Sequence, residues 1–129
     1  MNRTQFYMLV AVLVARPLLA APKMDCSIRP PKGTPKTDLP GLAKVSESEA
    51  QKTALESRGI PEGAYLAESE LEVESGCLVW SFDLKVPGKA GVQEVMIDAG
   101  NGKVLSSAYE SPKKEAAEKA KDTPSKKSN

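Results

Sequence analysis

Residues 64–106 read AYLAESELEVESGCLVWSFDLKVPGKAGVQEVMIDAGNGKVLS, and the alternation within them decides the fold. Ala67, Ser69, Leu71 and Val73 fall on one face of an extended segment, and Glu68, Glu70, Glu72 and Glu74 fall on the other. That is the period-2 pattern of a half-buried strand with a solvated acidic face. Ser75-Gly76 breaks the run, and 77–86 resumes it with Leu78, Trp80, Phe82 and Leu84 on one face. A turn over 87–91 leads to a third strand at 92–98, where Val95 and Ile97 meet the aromatic face only in one register, which would then put Val92, Glu94, Met96 and Asp98 on the outer face. Gly100-Asn101-Gly102 then signals a hairpin, because Asn-Gly readily takes the positive φ angles of a type I′ turn. Val104 and Leu105 carry a short last strand. Short connections make an antiparallel meander the economical topology.

One helix precedes the strands. Ser46 is its N-cap, Glu49 completes a capping box, and Ala50, Ala54 and Leu55 form a narrow apolar stripe over 47–58. Gly59 supplies the C-terminal turn and Pro61 blocks continuation. Small alanines let such a helix approach a sheet closely. The fold class is therefore α+β: one N-terminal helix on a four-stranded antiparallel meander, with a flexible Pro-rich arm before it and a basic tail after it.

Further out, the chain is predicted to divide into a signal peptide (1–20), a Pro-rich arm (21–43), a folded unit (44–108) and a weakly helical to disordered basic tail (109–129). Arg3, ten apolar residues from Phe6 to Ala15, Pro17 and then Ala20-Ala21 make a secretory pattern too short to span a membrane. The expected location is periplasmic or secreted, with no stable membrane insertion after cleavage. Five prolines within 22–40 predict an extended arm that packs on nothing. In 112–122, alanines among lysines and glutamates predict a fraying helix that does not dock.

Charge and composition exclude several function classes. Residues 44–110 hold six basic and twelve acidic residues, a net of −6, so the unit lacks the basic face of a nucleic-acid binder. Histidine is absent, which removes the usual neutral-pH base and the commonest metal ligand. The alternating glutamates lie ~7 Å apart along an exposed strand face, without the pocket that raises a catalytic carboxyl's pKa. Neither they nor Asp98 with Asn101 gather the six to eight oxygens of a dedicated calcium loop. No catalytic, cofactor or metal residues are assigned, and no cofactor is expected.

The two cysteines leave two readings open. Cys26 and Cys77 form a bridge closing about 50 residues, favoured by an oxidising compartment, or Cys77 is a buried small hydrophobe at a strand start. Trp80, the single tryptophan, is either a core anchor or an exposed binding position. Asp98 is expected to accept backbone N–H groups of its turn and pin the hairpin.

The pieces SESEAQKTAL (46–55), ESGCLVWSFDL (74–84) and GVQEVMIDAGNGKVL (91–105) resemble the PepSY family, the small domain of thermolysin-type metallopeptidase propeptides and of many exported bacterial proteins. Asp98 matches the family aspartate, Gly102-Lys103-Val104 its closing turn, and Trp80 a position usually held by an aromatic. Gly100-Asn101 departs from the pattern, a change expected to matter little. The resemblance implies a non-catalytic regulatory or inhibitory module acting on an exported peptidase or envelope protein, with Trp80, Phe82, Asp98, Asn101 and Gly102 as candidate binding or structural residues. The alternative is an autonomous accessory domain of the cell envelope without a specific protein ligand. Oligomeric state is left open.

Overall fold

The structure, a computed structural model, describes residues 23–122; the signal-peptide expectation and the last seven residues of the tail lie outside them. Helix α1 (Glu47–Glu56) precedes four strands, β1 (Tyr65–Glu74), β2 (Cys77–Lys85), β3 (Val92–Asp98) and β4 (Val104–Glu110), and helix α2 (Pro112–Asp122) follows. The strands form one antiparallel sheet in the order β1-β2-β3-β4, the meander expected from the short connections.

Helix α1 begins as its sequence dictates. Ser46 accepts from the Glu49 amide and the Glu49 side chain reaches back, closing the capping box. The helix stops at Glu56, two residues earlier than predicted, and Ser57 is already extended. Gly59, at φ 88°, serves the following turn instead. Ala50 and Ala54 are fully buried against Phe82, Leu84, Val95 and Ile97, with Leu55, Ile60 and Leu66 at the margins. Trp80 opposite Ile97 and Phe82 opposite Val95 give the register in which both apolar sets face the helix.

Three local expectations change. In β1, Ala67 is bulged out: Leu66 pairs with Leu84 and Glu68 with Asp83, so Leu66 takes the core position assigned to Ala67, which is exposed. Type I′ geometry belongs to the β1–β2 hairpin, where Ser75 (φ 50°) and Gly76 (φ 80°) are both left-handed between the paired Glu74 and Cys77. In the β3–β4 turn only Gly102 has positive φ, at 75°, because the Asp98 carboxylate draws in the amides of Gly100 and Asn101 and winds 99–101 right-handed. Finally, β4 is seven residues long and runs to Glu110, beyond the short strand read at Val104 and Leu105.

The Pro-rich arm is packed, not loose. A 3-10 turn, Lys36–Gly41, buries Leu39 against Leu78 and Ala99, with Ile28, Ala43, Leu71 and Trp80 around them. Prolines favour this, since they lower the entropy lost on fixing an extended path. The arm wraps the end of the sheet, and the amides of Lys44 and Val45 both donate to Ala99 O before α1 starts. No helix among the described residues is long and apolar enough to cross a membrane.

Candidate functional site

Two places concentrate the chemistry-bearing side chains. The first is the arm clamp. Cys26 and Cys77 form a disulfide, their Cα atoms 5.9 Å apart and 51 positions apart in sequence, which settles the choice between the two cysteine readings. The next residue, Ser27, donates its amide to one oxygen of Asp98 at 2.8 Å and its hydroxyl to the other at 2.6 Å. The amides of Gly100 (2.7 Å) and Asn101 (3.2 Å) complete the shell around Asp98 Oδ1. Burial alone raises this carboxyl; the bonds from Ser27, Gly100 and Asn101 outweigh it and hold the pKa below the usual aspartate value. Asp98 thus pins its turn as expected and also binds the arm.

Gly100 matters more than the sequence reading suggested. A methyl there would overlap Ser27 Oγ and press on the Ile28 side chain. The missing side chain is what lets the arm reach Asp98. Asn101 is exposed and caps locally, accepting from the Lys103 amide. Trp80 is half-buried between the two apolar clusters, stacks 6.5 Å from Phe82 and donates Nε1–H to Val45 O at 2.9 Å. It anchors the core. Phe82 is fully buried under α1. The structure therefore joins Asp98, Gly100 and both cysteines into one clamp, and leaves Phe82 apart from it.

The second place is the outer face of the sheet. The four glutamates of β1 share it with Asp83, Glu94 and Glu110, and α2 lies across it, enclosing a groove of about 680 Å³. Glu68, Asp83 and Glu94 stand directly opposite one another on three adjacent strands. Burial first, then the neighbouring carboxylates Glu68 and Glu110, push Asp83 up to about 6. The same two effects, with Glu110 and Asp83 as the strongest charges, push Glu94 up to about 7. Glu72 is raised likewise by burial and by Glu70 and Glu74.

Helix α2 answers part of that charge. Lys114 bridges Glu110 at 2.7 Å and Glu118 at 3.7 Å, while Lys119 bridges Glu68 at 3.0 Å and its own helix's Glu115 at 3.0 Å. Ala116, Ala117 and Ala120 remain exposed. The helix docks through lysines and not through apolar burial, which is why its lack of large apolar residues misled the sequence reading. Carboxylate oxygens of Glu94, Glu110 and Glu118 come within 4.8 Å of one another. Three oxygens are fewer than a calcium site gathers, and the Lys114 ammonium already sits against two of these carboxylates. Sequence reasoning missed Asp83 and Glu94 because their pairing depends on register; Asp83 sits between Phe82 and Leu84, which was the available signal, while Glu94 between Gln93 and Val95 carries none.

At its edge, β1 presents main-chain groups with no backbone partner among the described residues. No protein-family model matches the chain, and neither a curated protein nor a solved structure matches it.

Proposed function

We propose that this chain is an exported, non-catalytic binding module that takes an extended segment of a partner protein onto the free edge of β1. The observation that carries the reading is that edge: seven residues, 68–74, run regularly past the bulge with their outward N–H and C=O groups unpaired among the described residues. Added strands gain affinity from main-chain hydrogen bonds and specificity from alternate side chains. Here the alternate side chains of β1 are Glu68, Glu70, Glu72 and Glu74. A partner strand carrying lysine or arginine at every second position complements them, and an acidic one is repelled.

The N-terminal secretory pattern supports a partner among periplasmic or secreted proteins, and the PepSY resemblance supports a peptidase as its class. Bulges and charges also blunt strand edges against unwanted pairing, so the bulge at Ala67 favours a second reading, an accessory domain of the envelope without a protein ligand. Zero-length carbodiimide coupling in the exported fraction separates the two. Expected are coupled products joining Glu70, Glu72 or Glu74 to lysines of one partner, with loss of that partner's activity if it is a peptidase. Coupling that maps elsewhere, or a β1 that captures nothing, overturns the edge reading.

A further inference from the structure

The folded unit carries two apolar clusters, and only one needs the arm. The cluster beneath α1 is built from Ala50, Ala54, Phe82, Leu84, Val95 and Ile97. The other forms only when Leu39, Ile28 and Ala43 close over Leu78, Ala99, Leu71 and Trp80. The arm's far end is tied at three adjacent points: the disulfide at Cys26, the Asp98 clamp on Ser27, and the Leu78 amide donating to Ile28 O at 3.0 Å. The covalent tie holds the other two in register. A segment with its own small cluster and a single covalent lock can open without the rest of the domain unfolding.

We propose that the Cys26–Cys77 bond is a redox latch: its reduction frees the arm and opens an apolar surface of Leu71, Leu78, Trp80 and Ala99 at the end of the sheet, while the helix-on-sheet core stays folded. Cys77 has no exposed surface whereas Cys26 is half-buried, so of the two cysteines only Cys26 offers surface to a reductant. The reductant is a dithiol. One of its thiolates bonds to Cys26 Sγ as the Cys26–Cys77 bond breaks, and Cys77 leaves as a thiolate that takes up a proton. The second thiol then attacks its partner sulfur in the mixed disulfide and releases Cys26 as a thiolate that is protonated in turn. The dithiol becomes a cyclic disulfide and the protein gains two thiols. Leaving the latch open removes a constraint on a 51-residue separation and lets the arm dissociate as a chain tethered at Val45 alone.

This inference is independent of the β1 edge. Its test is residue-resolved amide hydrogen exchange on the full chain, oxidised and after dithiothreitol, with Cys26→Ser/Cys77→Ser as a reagent-free equivalent of the open state. Ser27 and Leu78 are the reporters, because their amides are bonded only across the clamp. Reduction is expected to speed their exchange by roughly 30-fold or more, the lower end of what a disulfide constrains, with Phe82, Val95 and Ile97 keeping their protection. Unchanged exchange at Ser27 and Leu78 shows that Asp98 holds the arm alone and overturns the latch. Equal loss at the central strands makes the bond a staple of the whole fold and overturns it as well.

Discussion

Ser27 and Asp98, 71 positions apart, meet through two hydrogen bonds of 2.8 and 2.6 Å to the two oxygens of one fully buried carboxylate. That contact makes the arm between Ser27 and α1 part of the domain. It also sets the first prediction. Asp98→Ala strips an acceptor from four donor groups in a buried site and is expected to cost about 2–4 kcal/mol, read as a lower urea midpoint in the oxidised protein. Because the folded pKa is depressed, the clamp's contribution is present above the ordinary aspartate value and is lost as pH falls through the folded one. Asp98→Asn should remove that acid-side loss; an unchanged acid limb would contradict the assignment.

Gly100→Ala puts a methyl into Ser27 Oγ and Ile28 and is expected to cost about 1–3 kcal/mol by overpacking. Gly41→Ala, whose methyl meets nothing within 4 Å, is the control and should change the unfolding free energy by no more than about 0.5 kcal/mol. Equal effects at the two positions would show that the arm does not depend on the close approach.

The opposed pair Asp83 and Glu94 predicts a stability that falls with rising pH. Both carboxyls bind protons more tightly folded than unfolded, so folding is favoured below their ordinary values and loses stability as pH rises through about 6 and about 7. Glu94→Gln is expected to flatten that slope and to gain up to about 1 kcal/mol at pH 8, the scale of a relieved like-charge cross-strand pair. Thermal melts at pH 5 and pH 8 measure it, and a slope retained in the variant would contradict the pairing.

Helix α2 holds to the sheet through lysines and buries no large apolar side chain. Salt at 1 M, where charges are screened beyond about 3 Å, should therefore reduce helical ellipticity while the unfolding free energy from urea changes by less than about 1 kcal/mol. Lys119→Ala should do the same at low salt, since it removes the bridge to Glu68. A cooperative loss of the whole domain would mean that α2 carries core stability.

The meander and α1 were legible because local patterns specify them: alternation in residues 69–84, a capping box at Ser46, and alanines at one helical face. Register errors arose where a single residue breaks the period. Ala67 illustrates this, since a bulge leaves no mark in an alternating string. The arm was misread for another reason. Its burial comes from one leucine, one disulfide and a carboxylate 71 positions away, none of which produces periodicity. Gly100 was discounted for the same cause, because the reason for a glycine there is Ser27, far off in sequence. The outer-face groove depends on cross-strand register and on lysines of a helix with no apolar stripe, so its glutamates read only as a solvated face.

The most direct test of the β1 edge as a binding surface is an amide titration of the ¹⁵N-labelled oxidised protein with an extended peptide bearing lysine at alternate positions, beside an otherwise identical glutamate peptide. The lysine peptide should shift and protect amides within 68–74, weakening with salt, and the glutamate peptide should do neither. Equal responses to both peptides, or none in β1, would contradict the edge as the site and leave the accessory-domain reading.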